Sequence, residues 1–301
     1  MINRRTFLKT SAAFGGAAIA FPRDVLSAAD TVITILHTND THSQIDPLPA
    51  NDRNAGMGGV ARRATLVKRI RNENPNTLLV DAGDVLQGTP YFNFYKGEVE
   101  YRAMSAIGYD AGTLGNHEFD NGVEALAAAL KFASFDIVSA NYDVKGTALE
   151  GKVKRYVVKT LGGIRVGLFG LGISPVALIT PANFKGVTFI DPALAARDVV
   201  KKLRQEERCS FVVCMSHLGY NENNQRGNSL IASQVDGIDF IASGHTHLFM
   251  EKPVEQTQPC GAKTLIFEVG KSGIYVGRVD FTFRGGKLAG ASGRLLDLRN
   301  V

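Results

Sequence analysis

Cysteine is scarce in this sequence, and its 301 residues contain three, at positions 209, 214 and 260. The number is odd and the spacing does not match a zinc knuckle, so neither a full disulfide framework nor a cysteine-held zinc site is expected. Cys209 and Cys214 flank or lie in the apolar stretch Phe211–Met215, which predicts small buried thiols. Internal repeats and low-complexity tracts are also absent, and this excludes a solenoid or a fibrous chain.

Apolar runs long enough to span a membrane are missing as well. The run from Ala12 to Phe21 is shorter than the ~20 residues that cross a bilayer. It follows Asn3–Lys9, which contains paired arginines, and precedes small residues that suit cleavage before Asp30. This arrangement resembles a twin-arginine (Tat-type) export signal. We therefore expect residues 1–29 to be a signal peptide and the mature chain to be periplasmic or otherwise exported; an uncleaved N-terminal anchor is the alternative.

A strong excess of charge of either sign is also lacking. The formal charge is +5, but without residues 1–29 the chain has 30 basic and 28 acidic residues, or +2. Such a balance gives no reason to expect nucleic-acid binding. Because 45% of the residues are hydrophobic and no linker interrupts them, residues 30–301 are expected to form a single domain with one large core.

Segments typical of strands and helices alternate along the chain, which predicts an α/β fold. Predicted strands include Thr31–Thr38, Thr77–Val80, 109–114, Phe135–Ala140, Ile164–Leu171, Phe211–Ser216 and Phe240–Ser243. Predicted helices include Val60–Arg71, Glu98–Ile107, Val123–Ala133 and Pro192–Glu207. Lys263–Val269 and Tyr275–Phe283 are separated only by a glycine-bearing turn, so they are predicted to be antiparallel neighbours.

Five of the predicted strands end in residues that can bind a metal. They are Asp40 with His42, Asp84, Asn116, His217, and His245 with His247. Strand ends converge at one edge of an open α/β sheet, and residues two apart on a strand share a face, so these side chains are expected to meet. Histidine mixed with aspartate and asparagine suits borderline divalent metals rather than Ca²⁺. His37 lies inside a strand pattern and is predicted to be a satisfied core residue or a supporting residue.

The stretch Gly115–Asp120 adds groups that can move a proton. Asn116 offers a neutral oxygen to a metal, and His117 can act as an acid or a base near neutral pH. Asp120 can orient His117 through its second ring nitrogen. Glu118 is left open between a residue that supports the metal ligands and a purely structural one.

Taken in order, these motifs resemble those of the calcineurin-like metallophosphoesterases. The surrounding segments Ile35–His42, Gly58–Arg62, Asp81–Asp84 and Gly115–Asp120 resemble the catalytic domain of the 5′-nucleotidase/UDP-sugar hydrolase branch. The resemblance extends over essentially the whole mature chain. It implies a four-layer α/β/β/α sandwich with two divalent metal ions (Mn, Zn, Mg or Co) at its top.

The resemblance also implies a role for each site residue. One ion would be held by Asp40, His42, Asp84 and His247, and the other by Asp84, Asn116, His217 and His245, so that Asp84 bridges the pair. Asn116 and His117 would contact the substrate phosphate. His117, oriented by Asp120, would stabilise the transition state or protonate the leaving group.

Two-domain members of this branch have a C-terminal domain that supplies arginines and paired aromatic residues to the substrate pocket. The sequence stops at Val301 without a segment of that kind and has no tryptophan. We therefore expect weak base selectivity, or a separately encoded partner chain that restores it. The loop Pro47–Gly59 and the aromatic segment Tyr91–Tyr95 could form a rim for such a partner, and ordinary packing under the loop is the alternative.

The expected reaction is release of phosphate from nucleotides, as in 5′-nucleotidases. Hydrolysis of phosphodiesters or UDP-sugar pyrophosphates, and thiosulfohydrolase-like cleavage of a sulfur ester, are alternatives, because the motifs do not distinguish the leaving groups. A metal-binding subunit of a two-chain complex, without activity of its own, is the alternative outside enzymes. The His117–Asp120 pair argues against that last alternative, because a module that only binds metal has no need of a general acid.

Overall fold

Residues 30–221 and 227–301 are described by the structure, a computed structural model. The predicted signal peptide, residues 1–29, lies outside the described residues. The strands are β1 Thr31–Thr38, β2 Thr77–Asp81, β3 Ala111–Gly112, β4 Asp136–Val138, β5 Tyr142–Asp143, β6 Val153–Lys154, β7 Tyr156–Leu161, β8 Ile164–Leu171, β9 Thr188–Phe189, β10 Phe211–Ser216, β11 Phe240–Ser243, β12 Val254–Thr257, β13 Lys263–Glu268, β14 Tyr275–Arg284 and β15 Lys287–Asp297. The α-helices are α1 Val60–Glu73, α2 Pro90–Tyr95, α3 Glu98–Ile107, α4 Gly122–Ala129, α5 Pro192–Lys201 and α6 Asn228–Gln234.

Most strands belong to two sheets that each contain a parallel centre. The first sheet has the order β15-β14-β1-β2-β3-β4-β6, and the second has the order β12-β13-β11-β10-β8-β7. β1 to β4 pair in parallel in the first sheet, and β8, β10, β11 and β13 pair in parallel in the second. A parallel centre brings the carboxyl ends of its strands to one edge, and this is the edge where the predicted ligands follow.

Three apolar clusters separate four layers. The middle cluster joins inward-facing residues of both sheets, such as Ile35 of β1 and Phe240 of β11. An outer cluster packs α1, α3 and α4 on the first sheet, and another packs α5 and α6 on the second. The predicted four-layer α/β/β/α sandwich is therefore confirmed. In the described part of the chain, no helix has both the length and the apolar character needed to cross a membrane.

The boundaries of several elements match the sequence prediction, and others are shorter. β1, β8 and α3 have the predicted bounds. The predicted strand 109–114 is reduced to the two residues of β3, and the predicted helix from Pro192 continues beyond α5 as a π-helical turn, Lys202–Glu206. Cys209 and Cys214 are free and buried, as predicted.

The predicted antiparallel pairing of Lys263–Val269 with Tyr275–Phe283 is wrong. β13 pairs with β11 and β12 in the second sheet, whereas β14 pairs with β1 and β15 in the first. The turn between them carries the chain across from one sheet to the other and contacts the end of β1, where Ser272 N–H donates to Asp40 O at 2.7 Å. A short glycine-bearing connection is thus compatible with a crossing between sheets as well as with a hairpin.

His37 lies in the middle cluster between the sheets. The prediction that its polar ring atoms are hydrogen-bonded is wrong. Its ring meets Phe240 and Phe267 edge-on at centroid distances of 5.7 and 5.1 Å. Neither ring nitrogen has a hydrogen-bond partner among the described residues. Burial lowers the pKa of His37 to about 3, so the imidazole is neutral in the folded chain at ordinary pH.

This buried imidazole predicts a loss of stability in acid. Below pH 6.5 the unfolded chain protonates His37 and the folded chain does not until about pH 3, so unfolding is favoured as the pH falls through that window. The expected loss is about 1.4 kcal/mol of unfolding free energy per pH unit from this residue. Urea unfolding of metal-free wild type and His37→Leu between pH 6 and 4 checks it: the wild-type stability should fall more steeply. Parallel curves for the two proteins would contradict the assignment.

Candidate metal centre

The predicted ligands all lie at the edge where strands of both sheets end. Asp40 and His42 follow β1, Asp84 follows β2, Asn116 follows β3, His217 follows β10, and His245 and His247 follow β11. The first three strands belong to one sheet and the last two to the other. The site is therefore built where the two sheets meet at their carboxyl edge.

Six of these residues form two groups whose ligand atoms lie within 4.8 Å of one another. One group is Asp40, His42 and His247, and the other is Asp84, His217 and His245. In the first, His42 Nε2 lies 3.0 Å from His247 Nε2, and His247 Nε2 lies 3.3 Å from Asp40 Oδ1. In the second, His217 Nε2 lies 3.0 Å from Asp84 Oδ2. Imidazole nitrogens directed at one another and at carboxylates form the kind of donor set that holds a cation.

The two groups adjoin. Asp40 Oδ1 of the first group lies 3.9 Å from His217 Nε2 of the second. Asn116 Oδ1 is buried and has no hydrogen-bond partner in the described ranges. Asp40 Oδ1 and His217 Nε2 are also buried, and their short contacts, to His247 Nε2 at 3.3 Å and to Asp84 Oδ2 at 3.0 Å, lie within the two groups. Buried polar atoms of folded proteins normally have partners, so these atoms fit ligands of a cation. Asn116, the predicted uncharged ligand, thus has an available oxygen, and its neighbour Gly115 lies against Asp84 of the second group.

The ligand-bearing turns do not have strand geometry. Asp40, His42, Asp84, His245 and His247 all have φ between 48° and 95°. The expectation that Asp40 and His42 meet because they share the face of a strand is therefore wrong in its reason, although both side chains reach the same group. Left-handed backbone at non-glycine residues is uncommon and persists only where surrounding contacts hold it. Here such a contact is the bond from Asp40 N–H to Gly83 O at 2.9 Å.

Close approach of backbone explains two glycines of the motifs. A Cβ on Gly115 would lie 2.2 Å from Asp84 Oδ1, and a Cβ on Gly83 would lie 2.7 Å from Gly115 N. The turns after β2 and β3 therefore touch directly at the site. Asp84 Oδ1 also accepts the His117 N–H at 2.9 Å, which fixes one carboxylate oxygen while Oδ2 faces His217.

Two histidines donate a hydrogen bond from Nδ1, which leaves the Nε2 atom of each ring available to a metal. His217 Nδ1 lies 2.8 Å from Ala82 O, and His42 Nδ1 lies 3.4 Å from Leu86 O. A donor hydrogen on Nδ1 selects the tautomer whose Nε2 carries the free lone pair. Both rings are thereby oriented by carbonyl groups of the turn around Asp84.

Charge around the buried carboxylates favours a positive occupant. Burial lowers the pKa of His217, but the carboxylates of Asp84 and Asp40 outweigh it and raise that pKa to about 10. Burial likewise opposes ionisation of Asp84, yet His217 and nearby histidines hold the pKa of its carboxyl below the usual value. The carboxylates thus remain charged and hold a proton on His217, which a cation would displace.

Glu118, which the sequence left open between a supporting and a structural role, lies behind the candidate ligands and joins two of their turns. It belongs to neither ligand group. Its carboxylate accepts backbone N–H groups of Asp84 at 3.0 Å, Val85 at 2.7 Å and Gly115 at 2.6 Å. Burial, followed by the Asp84 charge, raises the pKa of Glu118 to about 7. Glu118 therefore supports the ligands by joining the two turns that carry Asp84 and Asn116.

This role predicts that Glu118→Gln weakens metal binding. An amide cannot accept from all three N–H groups, so the two turns should separate and metal affinity should fall by about 10- to 100-fold, as for other residues behind metal ligands. Calorimetric titration of metal-free protein with Mn²⁺ measures the change. Glu124→Gln, an exposed substitution on α4, is the matched control. Equal metal affinity in Glu118→Gln and wild type would contradict the role.

The predicted His117–Asp120 pair is formed. His117 Nδ1 lies 2.8 Å from Asp120 Oδ2, and both side chains are 32% exposed. The hydrogen bond to Asp120 raises the pKa of His117, so the protonated ring is favoured. Asn183 Nδ2 donates to Asp120 O at 2.8 Å and supports this turn. The His117 ring lies 5.4 Å from that of His42, which places an accessible imidazole beside the first group.

Two residues that hold the site together were not predicted. Asn39 donates to Asp40 Oδ2 at 2.6 Å and to Gly270 O at 2.7 Å, so it links the first ligand to the chain that crosses between the sheets. Glu268 accepts from Thr246 Oγ1 and from Leu248 N–H, each at 2.8 Å, and thereby holds the turn of His245 and His247. Asn39 stood within the first motif and could have been found there. Glu268 had no signal in the sequence.

The aromatic segment Tyr91–Tyr95 was predicted either to form an exposed rim or to pack under the loop, and its residues do both. Phe92 is buried, as ordinary packing requires, whereas Phe94 is 79% and Tyr95 54% exposed. With residues of the loop that begins at Pro47, they line a groove of about 590 Å³. The groove is also lined by Gly88, where an added Cβ would lie 2.9 Å from His42 O. The groove therefore lies next to a residue of the first group.

Known proteins share this chain's sequence pattern and fold. A family model for calcineurin-like phosphoesterases matches residues 33–249. The 5′-nucleotidase of Bos taurus is 35% identical over 277 residues, covering 84% of this chain and 47% of that protein. The trifunctional nucleotide phosphoesterase YfkN of Bacillus subtilis is 31% identical over 285 residues, covering 83% of this chain and 18% of that protein.

A solved structure agrees with these sequence matches. The 5′-nucleotidase precursor of Thermus thermophilus superposes with a TM-score of 0.80 at 34% identity, covering 89% of this chain and 54% of that one. The chain thus spans about half the length of the bovine and Thermus relatives and less of YfkN. With a family match over most of its length and the fold expected of that match, the chain belongs to the calcineurin-like phosphoesterase family.

Proposed function

We propose that residues 30–301 form a catalytic domain that hydrolyses phosphate esters with two divalent metal ions, and that its main reaction is release of phosphate from nucleotides. The observation that carries the proposal is the pair of adjoining ligand groups, Asp40–His42–His247 and Asp84–His217–His245, at one sheet edge. The His117–Asp120 pair beside them supplies a group for proton transfer. Relatives named as 5′-nucleotidases support nucleotides as the substrate class.

Each group would hold one ion, with Asp84 contributing to both and Asn116 to the second. The donors are imidazole nitrogen, carboxylate and amide oxygen, which suit Mn, Zn, Mg or Co. When bound, such cations would lower the pKa of a bound water and neutralise charge on the phosphoryl oxygens. The unpartnered, buried oxygen of Asn116 supports the assignment, because a cation gives a buried acceptor the partner it lacks.

The protein's own residues would bind the phosphate and move the proton. With Nδ1 bonded to Asp120, His117 has Nε2 left to face a phosphate oxygen or the leaving-group oxygen. The bond to Asp120 favours the protonated ring, which suits donation of a proton to a departing alkoxide. Asn116 would offer its amide nitrogen to the phosphate and its oxygen to the second ion.

Weak discrimination between nucleotides and simple phosphates is the expected behaviour of this chain alone. A stacked base contributes about 1–3 kcal/mol, or roughly 5- to 150-fold in affinity. If residues 30–301 recognise the phosphate rather than the base, the KM for nucleoside monophosphates should be close to that for an aryl phosphate. Turnover of both by the purified metal-loaded chain, with bis-aryl phosphodiester and UDP-glucose alongside, measures this and identifies the reaction class.

The exposed aromatic residues of the groove provide the control for that experiment. Phe94→Ala with Tyr95→Ala should leave the ratio of the two KM values unchanged. A micromolar KM for one nucleotide with a far weaker aryl phosphate, abolished in this double variant, would contradict the expectation and place base recognition in the groove.

A separately encoded chain that resembles the C-terminal domain of two-domain relatives remains our proposal for base selectivity. Copurification of a partner that lowers the nucleotide KM of this chain would support it, and an unchanged KM with every copurified protein would contradict it. We likewise propose export by the Tat route. Replacement of Arg4 and Arg5 by lysine should retain the precursor inside the cell, and normal export of that variant would contradict the route.

A further inference from the structure

A small cavity adjoins the loop that carries Asp40 and His42. It is lined by Ser43 of that loop, Arg63 of α1 and Glu100 of α3, with Val85 and Met104 among its apolar neighbours. Its volume is about 10 Å³, which is close to the space that one water molecule requires. The cavity is separate from both ligand groups, since none of its lining residues belongs to them.

Polar atoms of three side chains around this cavity have no partner in the described part of the chain. They are both carboxylate oxygens of Glu100, Nε of Arg63 and Oγ of Ser43, and all three residues are buried. Burial of a carboxylate without a partner, beside a guanidinium whose Nε also has none, is unfavourable, so a group that bonds to both would stabilise the fold. A water molecule accepts from Arg63 Nε and donates to Glu100, and it still has a position for the Ser43 hydroxyl.

Arg63 connects the cavity to the turn that precedes Asp84. Its Nη1 donates to Tyr109 Oη at 3.0 Å, and Tyr109 Oη lies 2.7 Å from Thr38 Oγ1. Thr38 donates to Asp81 Oδ2 at 2.6 Å, and Asp81 Oδ1 accepts the Gly83 N–H at 2.9 Å. A continuous hydrogen-bonded chain therefore runs under the metal centre from the cavity to the turn after β2.

We propose that the cavity binds one water molecule that joins Glu100 and Arg63 to Ser43, and that these residues position the loop of Asp40 and His42. Glu100 and Arg63 are positioning residues, because they act on the first ligand group through Ser43 and the water. The inference rests on the proposed function, since it assumes that the group of Asp40 and His42 binds a metal ion whose affinity these residues raise. The water itself can be observed without any turnover.

The first test is a crystal structure of the purified chain at a resolution that shows ordered water. It should show one water within hydrogen-bond distance of Glu100, Arg63 Nε and Ser43 Oγ. An empty cavity, a bound ion in its place, or a direct Glu100–Arg63 ion pair would overturn the proposal. If the chain bound no metal at all, the proposed function would fail, while this density would still decide the water site.

The second test separates positioning from general packing. Glu100→Leu removes both acceptors, so metal affinity of the Asp40–His42–His247 group should fall by about 10-fold while that of the Asp84–His217–His245 group stays unchanged. Glu100→Gln keeps one acceptor and should restore most of the loss. Met104→Leu, a volume-conserving change at the same cavity, is the control and should alter neither group. Anomalous occupancies of Mn²⁺ in crystals equilibrated at graded concentrations report each group separately.

A third variant keeps the test decisive if Glu100→Leu does not fold. Ser43→Ala removes only the contact between the water and the loop, and it should give a smaller loss confined to the same group. Equal weakening at both groups, or unchanged occupancies in Ser43→Ala and Glu100→Leu, would overturn the positioning role.

Discussion

Asp84→Ala is expected to lower kcat/KM by more than loss of any other single ligand, on the order of 10²-fold or more, and to release at least one tightly held metal ion. One oxygen of Asp84 faces His217 at 3.0 Å and the other fixes the His117 N–H at 2.9 Å. Removal of this carboxylate therefore disturbs the second ligand group and the turn of the proton-transfer pair together. If Asp84 contributes to both proposed ions, its removal would also take away the negative charge that offsets their mutual repulsion.

Metal content per chain, measured beside turnover of an aryl phosphate, checks this prediction. His42→Ala, which removes one ligand of the first group, should show a smaller loss. Asp46→Ala is the control for charge, because Asp46 is an exposed acid that bonds to Tyr91 and lies outside both groups. Two tightly held ions in Asp84→Ala would contradict the bridging assignment.

His117→Asn should lower kcat by on the order of 10²-fold or more while metal occupancy stays near that of wild type. The reason is geometric, because His117 belongs to neither ligand group, lies 2.8 Å from Asp120 and is accessible to a substrate. Asp120→Asn should give a milder loss, since the ring remains but is less well oriented. Measurement of kcat and of metal occupancy on the same variants separates an effect on chemistry from an effect on metal binding.

Kinetics with a good and a poor leaving group sharpen this prediction. A phenol of low pKa needs less protonation than an alcohol, so the loss in His117→Asn should be smaller for an aryl phosphate than for a nucleoside monophosphate. Loss of metal in proportion to activity would show that His117 is a ligand, and the assigned pair would then be wrong.

The sequence predicted that the candidate ligands lie together because each of them follows a strand. Parallel pairing brings such ends together whatever the detailed backbone, so Asp84 and His217 could be placed side by side without coordinates. The left-handed turns at Asp40 and His42 could not be foreseen, since they depend on bonds to the neighbouring turn. Motif order was therefore more informative than local strand periodicity.

Other features escaped prediction because they depend on contacts between distant segments. β13 and β14 were expected to pair, yet the connection between them crosses from one sheet to the other. In this connection, Ser272 N–H donates a hydrogen bond to the backbone oxygen of Asp40. Glu268 supports the His245 turn only because β13 lies beside β11. His37 was expected to be satisfied, but two phenylalanines of the facing sheet surround it.

The most direct measurement of the central claim is phosphate release as a function of metal bound per chain. Metal-free protein is titrated with Mn²⁺ while bound metal and turnover of a nucleoside monophosphate are recorded on the same samples. Two adjoining groups that act together predict two ions per chain, with turnover that follows occupancy of the second ion. Full turnover at one ion per chain, or two bound ions with no hydrolysis of any phosphate ester, would contradict the proposed function.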